Sequence, residues 1–320
     1  FLDGLAQMST KKHREQIKVP YVAHGTTVCT NAILERRGAE LGFITTKGFR
    51  DILEIGRQVE PDQFDFTVDR ALPLAPRYRR KEAVERVDSN GYLLQPLEEN
   101  SFRIAVQQLI STGVDSIAIC FLFSFANPIN ELRAKTLAQE EFQKARVNGF
   151  VSISSEIVAE FREFERASTV AVAAYLAPVL HDYVSSLEKK LSATLNPETK
   201  LYVMQSGGGL VSPITAIRNA HTTTESGPAA GVIAAAHLGH LLGKTQVISF
   251  DMGGTTAKAS LVNDSKPQFA FEFEVGTEQH GAFVTRNKGY PVRTTTIDLI
   301  ECSAGGGSIS WVDPAGVLKV

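Results

Sequence analysis

Short apolar segments alternate with longer segments of helical periodicity along most of the chain. The short segments predict strands at 21–23, 41–45, 116–123, 151–154 and 201–204. The longer segments predict helices at 28–37, 97–111, 128–144 and 161–195, the last with a break at Pro178. Gly38 and Gly113 stand where the first two of these helices end. Such alternation is typical of an α/β fold with mixed sheets.

A tight turn is predicted at Ser-Asn-Gly (89–91), between the strand-like segments 81–87 and 92–95. The two segments would form a hairpin. The basic run at 77–81 precedes the first of them, and a solvated strand face explains it without a nucleic-acid partner.

Composition narrows the class of protein. A chain of 320 residues favours two lobes, and 43% hydrophobic with 21% charged residues is typical of a globular protein. A net charge of −2 gives no reason to expect nucleic acid or an anionic membrane as a partner. No apolar run has the length of a membrane span and no signal-peptide pattern is visible, so we expect a cytoplasmic protein. The three cysteines are too few and too scattered for disulfides or zinc, and Cys120 is a predicted core residue.

One candidate for phosphate binding follows an apolar strand at Asp-Met-Gly-Gly-Thr-Thr (251–256). Glycines let backbone N–H groups approach a phosphate, and a carboxylate such as that of Asp251 can hold Mg²⁺. Lys258 follows the turn and could neutralise phosphate charge or be an ordinary surface lysine. The alternative for the whole segment is a hairpin with an Asp-x-Gly-Gly turn, and the segment alone leaves both open.

The residues before this turn favour phosphate binding. A Thr-Thr-Thr-Glu-Ser-Gly-Pro segment (222–228) leads into a helix of small residues, with Pro228 in its first turn and Ser226 as its cap. A Gly-Lys turn (243–244) then precedes the strand and the glycine turn. This order resembles the connecting helix and second phosphate loop of the actin-like ATPases. The resemblance implies a first lobe at 1–243, the start of a second lobe at 244–320, and a nucleotide between them.

Further motifs narrow the resemblance. They are His-Gly-Thr-Thr (24–27) with its sequel to Gly38, the segment 41–57, Glu-Phe-Arg-Glu-Phe-Glu-Arg (160–166), Met-Gln-Ser-Gly-Gly-Gly (204–209) and Ser-Ala-Gly-Gly-Gly-Ser (303–308). Together they resemble the hydantoinase A/5-oxoprolinase family over nearly the whole chain. The resemblance implies an α/β, actin-like (ribonuclease H-like) ATPase fold with mixed sheets. It also implies that the fold is incomplete at both ends, because a first phosphate loop would precede Phe1 and an adenosine loop would follow Val320.

The family resemblance implies an ATP- and Mg²⁺-dependent enzyme that opens a cyclic amide, of the hydantoin or 5-oxoproline type, by phosphorylating its carbonyl oxygen. A second subunit or a fused hydantoinase B-type half is the expected protein partner. Two alternatives stay open: a subunit of an ATP-dependent ketone carboxylase, and a non-catalytic nucleotide-binding module.

The site residues expected from this resemblance fall into two groups. Asp251, also the expected metal ligand, and His24 are the candidate catalytic residues. The candidate nucleotide contacts are Gly253, Gly254, Thr255, Thr256, Lys258, Gly25, Thr26, Thr27 and Gly227. For Thr26 and Thr27 a helix cap is the competing explanation, and for His24 a core position.

Other polar motifs have more than one explanation. The glycine runs at 205–209 and 304–308 could admit a ligand or serve close packing. Glu163, Glu165 and Arg166 are expected to form a salt-bridged helix surface, and Asp298 with Glu301 could be paired carboxylates.

Overall fold

The computed structural model describes residues 19–58, 70–195, 198–254, 256–276, 289–302 and 304–319. The strands are β1 (Tyr21–His24), β2 (Leu41–Thr46), β3 (Arg80–Ala83), β4 (Arg86–Val87), β5 (Leu93–Gln95), β6 (Ser116–Cys120), β7 (Phe150–Ile153), β8 (Lys200–Met204), β9 (Leu210–Val211), β10 (Val247–Met252), β11 (Ala257–Asn263), β12 (Lys266–Pro267), β13 (Phe269–Val275), β14 (Tyr290–Ile297), β15 (Ile300–Cys302), β16 (Trp311–Val312) and β17 (Leu318–Lys319). The α-helices are α1 (Val28–Leu34), α2 (Ile52–Ile55), α3 (Glu99–Ser111), α4 (Ile129–Ala145), α5 (Ser154–Ile157), α6 (Glu163–Thr194), α7 (Pro213–Arg218) and α8 (Ser226–Leu241).

A parallel sheet with the order β3-β2-β6-β7 forms the centre of the first half of the chain. Alternate residues of its strands point to opposite faces, so each face has its own core. On one face Phe43 and Ala118 pack with α6, and on the other Ile44 and Ile117 pack with α3 and α4. Coverage of both faces explains why β2 and β6 are uniformly buried.

Helix α6 runs unbroken through Pro178, which corrects the predicted break. A proline has no N–H for the carbonyl four residues earlier, which here is that of Ala174. The Ser116 hydroxyl donates to that carbonyl over 2.8 Å, and the Ala39 N–H donates to the Tyr175 carbonyl over 2.9 Å. The neighbouring strand thus satisfies the carbonyl that the proline leaves free, and the loop before β2 donates to the next carbonyl along the helix.

By length and hydropathy α6 could cross a membrane, although no apolar run of that length was expected from the sequence. Its residues from Glu165 to Ala177 are all buried inside the protein. The helix lies between the parallel sheet and the β13–β14 pair, and it also packs against α1 and α7. A position at the centre of the core accounts for its apolar character.

The remaining strands form smaller sheets. β1 is parallel to β8, which is antiparallel to β9. β11 lies between β10 on one edge and β12 with β15 on the other, all antiparallel, and α8 packs on this sheet through Val232 and Val262. The fold is therefore mixed α/β with several sheets, as predicted. The lobe boundary at 243–244 stays a prediction.

Several predicted boundaries were wrong. The hairpin consists only of β4 and β5, because β3 joins the parallel sheet, and the basic run begins in a 3₁₀ turn (Arg77–Arg79). Helix α1 ends at Leu34. Gly38 is not its cap but a contact, since a Cβ there would lie 2.1 Å from the Tyr175 ring. Strand β6 ends at Cys120, which is buried as expected.

The salt-bridged helix surface predicted for Glu163, Glu165 and Arg166 was wrong for the last two, and only Glu163 is exposed. Glu165 and Arg166 are both buried, and Arg166 is only 1% exposed. The Arg166 guanidinium donates to the Phe121 carbonyl over 3.1 Å and to the Ser124 and Ser154 hydroxyls. These residues follow β6 and β7, so a charged network lies at the carboxyl edge of the parallel sheet.

Candidate functional site

The loop between β1 and α1 meets the first turn of α8 backbone to backbone. The Thr26 N–H donates to the Ser226 hydroxyl oxygen over 3.1 Å, and that hydroxyl lies 3.1 Å from the Thr26 carbonyl, to which it donates. A Cβ on Gly25 would lie 3.3 Å from the Gly227 Cα. Glycine at position 25 therefore allows the loop to approach the backbone of the helix closely.

The helix starts differ from those predicted. Ser226 is the first residue of α8, not its cap, and its hydroxyl is used for the contact with Thr26. Pro228 lies in the first turn, as expected. Thr27 precedes α1 without a capping side-chain bond, while the Thr26 hydroxyl oxygen accepts from the Val28 N–H over 3.2 Å.

Glu225 occupies the position before α8 in a left-handed conformation, with φ of 59° and ψ of 16°. This conformation is unfavourable for a residue with a Cβ and recurs at functional sites. The side chain is nearly buried. It accepts a hydrogen bond from the Thr30 hydroxyl over 3.3 Å, and its other carboxylate oxygen accepts one from the Lys258 ammonium.

Lys258 lies at the centre of a row of charges that crosses three strands. Asp251 of β10 is its register partner on one side, and Glu301 of β15 on the other. Directly paired residues project from the same face of a sheet, so the three side chains share one face. The Lys258 Nζ is 3.5 Å from the Glu301 carboxylate, and the Lys258 side chain is 15% exposed. Lys258 is thus not an ordinary surface lysine.

The two glycine-rich loops beyond these strands pair with each other. The Gly306 N–H donates to the Gly253 carbonyl and the Gly307 N–H to the Gly254 carbonyl, both over 2.8 Å. A Cβ on Gly307 would lie 3.0 Å from the Gly254 carbonyl oxygen, so glycine is required there. Within the turn the Gly253 N–H donates to the Thr256 carbonyl over 2.9 Å, and Thr255 lies outside the described residues.

The third glycine run serves packing. A Cβ on Gly207 would lie 3.0 Å from the Thr295 carbonyl oxygen. One on Gly208 would lie 2.8 Å from the Ile233 side chain, and Gly208 also has a left-handed φ of 81°. Of the two explanations for the run at 205–209, the structure supports close packing.

His24 is held against α6. Its Nε2 is 2.6 Å from the Tyr183 hydroxyl oxygen, and the two rings are stacked with centroids 5.7 Å apart. Burial lowers the pKa of the imidazole from its ordinary 6.5, which favours the neutral form at pH 7. The neighbouring Gly25 and Thr26 contact α8, so the loop connects the histidine to the first turn of that helix.

Hydrogen bonds and ion pairs connect the predicted site residue Lys258 to residues that were not predicted for the site. Thr30 binds Glu225, Glu225 binds Lys258, and Lys258 pairs with Glu301. The turn at 253–254 follows β10 and the loop at 305–307 follows β15, so both lie at the same end of the row of charged residues. A Cβ on Gly227 or Gly254 would meet no atom within 4 Å, so the space beside both glycines is open to a ligand.

The donor set fits a phosphate group better than a preformed metal centre. Glycine backbone and one ammonium group suit a phosphate. Among the described residues, no group of three or more His, Cys, Asp or Glu side chains is placed to hold a metal ion. The exposed Asp251 carboxylate could hold Mg²⁺ only together with groups from a ligand, which is how Mg²⁺ is commonly bound beside phosphates. The individual site assignments stay predictions.

Thr30 and Glu225 were missed as site residues. Glu225 is separated from Thr30 by 195 positions and from Lys258 by 33, so no local pattern connects them. One signal was available, namely an acid directly before a Ser-Gly-Pro helix start. Glutamate there has no backbone reason to precede the helix, since the caps preferred at such positions are Ser, Thr, Asp and Asn.

His221 precedes Glu225 in the segment before α8, and it makes a pH-dependent contribution to the free energy of unfolding. Burial lowers the pKa of its imidazole to about 4, against 6.5 in the unfolded chain. The unfolded state therefore takes up a proton that the folded state does not. The stabilising effect is complete above pH 6.5 and is lost as the pH falls toward 4, at about 1.4 kcal/mol per pH unit.

We expect a His221→Gln variant to show a shallower loss of unfolding free energy between pH 6.5 and 4 than the unchanged protein. Chemical denaturation at several pH values measures it. His181→Gln, on the exposed side of α6, is the matched control and should leave the slope unchanged. Equal slopes in all three proteins would contradict a neutral buried His221.

Comparison with known proteins identifies the family. Models of the hydantoinase/oxoprolinase N-terminal region and of hydantoinase/oxoprolinase match residues 1–142 and 166–320. The fold is that of a mixed α/β protein with several sheets. The chain belongs to the hydantoinase/oxoprolinase family.

Two relatives cover nearly the whole chain. Uncharacterized protein MJ0964 of Methanocaldococcus jannaschii is 40% identical over 95% of the chain. The caprolactamase subunit alpha of Pseudomonas jessenii is 30% identical over 99% of it. The chain spans 44% of the length of each relative.

Two solved structures have the same fold. The crystal structure of ATP-dependent caprolactamase from Pseudomonas jessenii superposes with a TM-score of 0.78 at 29% identity, over 98% of this chain and 44% of that one. The nucleotide-free structure of acetone carboxylase, described for ATP-dependent acetone carboxylation, gives a TM-score of 0.77 at 26% identity, over 99% and 44%.

Proposed function

We propose that the protein is an ATP-dependent enzyme that opens a small cyclic amide by phosphorylating its carbonyl oxygen. The observation that carries the proposal is the cluster of Glu225, Lys258 and Glu301 beside two paired glycine loops. ATP-dependent caprolactamase, a relative with the same fold, acts on a cyclic amide by its name. ATP would supply the phosphoryl group that turns the amide oxygen into a leaving group.

In this proposal each chain element has a separate task. The glycine backbone at 253–254 lies beside open space and accommodates a phosphate without side-chain interference. Lys258 provides positive charge that is already positioned by two carboxylates, so little reorganisation is needed when a phosphate arrives. Asp251, at the exposed end of the row, holds Mg²⁺ with the nucleotide.

We also propose that further polypeptide, a second subunit or a fused half, completes the enzyme. The face of the β10–β11–β15 sheet opposite the charged row is apolar and open. Ile248, Phe250 and Met252 alternate with the residues of the site face and are all more than half exposed. Ile300 of β15 is likewise 57% exposed. An apolar face of this kind is typical of a surface that another chain segment covers.

The first test is calorimetric titration of the full-length protein with Mg²⁺ and a non-hydrolysable ATP analogue. We expect Asp251→Asn to weaken binding by about tenfold or more, because a carboxylate ligand of the metal becomes neutral. Asp264→Asn is the matched control. It makes the same chemical change in the turn that follows β11 and should bind like the unchanged protein. Equal affinities for Asp251→Asn and the unchanged protein would contradict a role for Asp251.

The reaction is tested by ATP hydrolysis in the presence of cyclic amides. Stimulation by a hydantoin, 5-oxoproline or a lactam, with ring opening, supports the proposal. Stimulation by a ketone with bicarbonate would instead place the protein in the carboxylase branch, whose acetone carboxylase shares its fold. Nucleotide binding without hydrolysis that any of these substrates stimulates would favour a non-catalytic nucleotide-binding module.

A further inference from the structure

A pocket of about 150 Å³ lies away from the charged row, between helix α6 and the start of β14. It opens beside Leu72, which is 71% exposed. Its walls come from the end of α2, the segment 70–74, one face of α6 and residues 289–291. None of the residues of the Glu225–Lys258–Glu301 cluster lines it, so an inference about it does not rest on the proposed function.

The wall from α6 is apolar with one hydroxyl. Phe164, Ser168 and Ala171 are spaced by four and three residues and so share one helix face. Ser168 is 4% exposed, and none of the hydrogen bonds among the described residues uses its hydroxyl. The Ser168 hydroxyl oxygen is not enclosed by protein atoms, so it can be reached from the pocket. In this pocket the partner can be a ligand.

Charged groups at the rim are already paired with the protein. Arg57 donates to the Glu165 carboxylate over 2.8 Å and to that of Glu272 over 2.7 Å. Glu54 accepts from Arg80 over 2.7 Å. Arg70, the third charged residue of the wall, donates to the Ile55 carbonyl over 3.4 Å. Because Arg57 and Glu54 are ion-paired within the protein, an uncharged ligand loses less solvation on entering than a charged one.

The volume limits the size of the ligand. An apolar cavity of about 150 Å³ holds one benzene ring in a well-studied engineered case. Pockets for drug-sized molecules are larger, from roughly 300 Å³ upward. We propose that this pocket binds a small uncharged ring compound whose single polar substituent is hydrogen-bonded to Ser168.

Phenol and toluene are matched probes, because they share a ring and differ in one hydroxyl group. We expect both to bind the full-length protein in calorimetric or ligand-observed NMR titrations, phenol more tightly. Ser168→Ala should weaken the binding of phenol by about two- to tenfold and leave the affinity for toluene unchanged. Ser155→Ala is the control, since it makes the same chemical change outside this pocket, at a hydroxyl without a partner among the described residues.

Filling the pocket tests its location. Ala171→Leu adds three carbons to the wall and should abolish binding of both probes, and Ala171→Val should weaken it if the leucine variant does not fold. An unchanged melting temperature without ligand shows that a folded variant was compared. Failure of both probes to bind the unchanged protein, or unchanged binding to a folded Ala171 variant, would overturn the proposal. ATP binding at the other site is unaffected by either outcome.

Discussion

Replacing Glu131 by alanine is expected to lower the free energy of unfolding by about 3–5 kcal/mol, because the change leaves a buried positive charge without its partner. Glu131 is fully buried at the start of α4. Its carboxylate accepts hydrogen bonds from the Phe121 N–H, the Ser124 hydroxyl and the Ser154 hydroxyl at 2.6 to 2.8 Å. The Arg166 guanidinium is 3.7 Å away.

This network joins the carboxyl ends of two parallel strands to α6. Glu131 contacts the residues that follow β6 and β7, and Arg166 of α6 contacts the same groups. Removal of the carboxylate therefore takes this acceptor from two hydroxyls and two N–H groups, and the counter-ion from the Arg166 guanidinium. Each buried group left in this way costs about 1–3 kcal/mol, and partial repacking keeps the total below the sum.

Chemical denaturation of the variants measures the effect. Glu140→Ala is the matched control, since Glu140 is the neighbouring glutamate on α4 and forms a partly exposed pair with Arg103. It should cost about 1 kcal/mol or less. A double variant, Glu131→Gln with Arg166→Met, should recover part of the loss because neither charge is then buried alone. A cost below 1 kcal/mol for Glu131→Ala would show that the buried charges are compensated by other groups.

The same residues show where sequence-based prediction ends. The periodicity of apolar positions located α3, α4 and three strands of the parallel sheet, β2, β6 and β7, because burial on one or both faces imposes that periodicity. The fourth strand, β3, was predicted as part of a hairpin. The sequence motif at 160–166 looked like an exposed helix surface. Charged residues are buried there because the serines after β6 and β7 satisfy them, and those contacts join distant parts of the chain.

Rules based on a residue and its sequence neighbours also failed at two positions where a residue far away in the sequence makes the decisive contact. Pro178 predicts a helix break from its own chemistry, but the hydroxyl of Ser116, on a strand 62 positions earlier, donates to the carbonyl that the proline leaves free, and the helix continues. Gly38 looked like a helix end and is instead a contact with Tyr175. In both cases the residue type was informative, but its reason lay in tertiary packing.

The candidate site was predictable to the extent that its parts are local. The turn at 251–256 and the start of α8 are continuous motifs, and the structure brings the predicted Gly25, Thr26 and Gly227 into contact. The charged row could not be read from one sequence. It requires the register of β10, β11 and β15, in which Asp251 and Glu301 are both paired with Lys258.

Lys258→Met is expected to lower the free energy of unfolding by about 3 kcal/mol, and to weaken binding of Mg²⁺ with a non-hydrolysable ATP analogue by about ten- to hundredfold. The stability loss arises because Glu225 and Glu301, whose side chains are 9% and 10% exposed, lose their shared counter-ion. The affinity loss arises from the proposed contact of the ammonium group with phosphate. The two effects need not have the same origin, since methionine also removes the ordering of Glu225.

A double variant, Lys258→Met with Glu225→Gln, separates them. Neutralising Glu225 removes the buried charge left by the first substitution, so at least half of the lost unfolding free energy should return. The nucleotide affinity should not return, because no positive charge has been restored. Denaturation and calorimetric titration of the single and double variants measure both quantities. If affinity recovers together with stability, Lys258 acts only by holding Glu225 and the start of α8 in place. If affinity stays low while stability recovers, the ammonium group itself contributes to nucleotide binding.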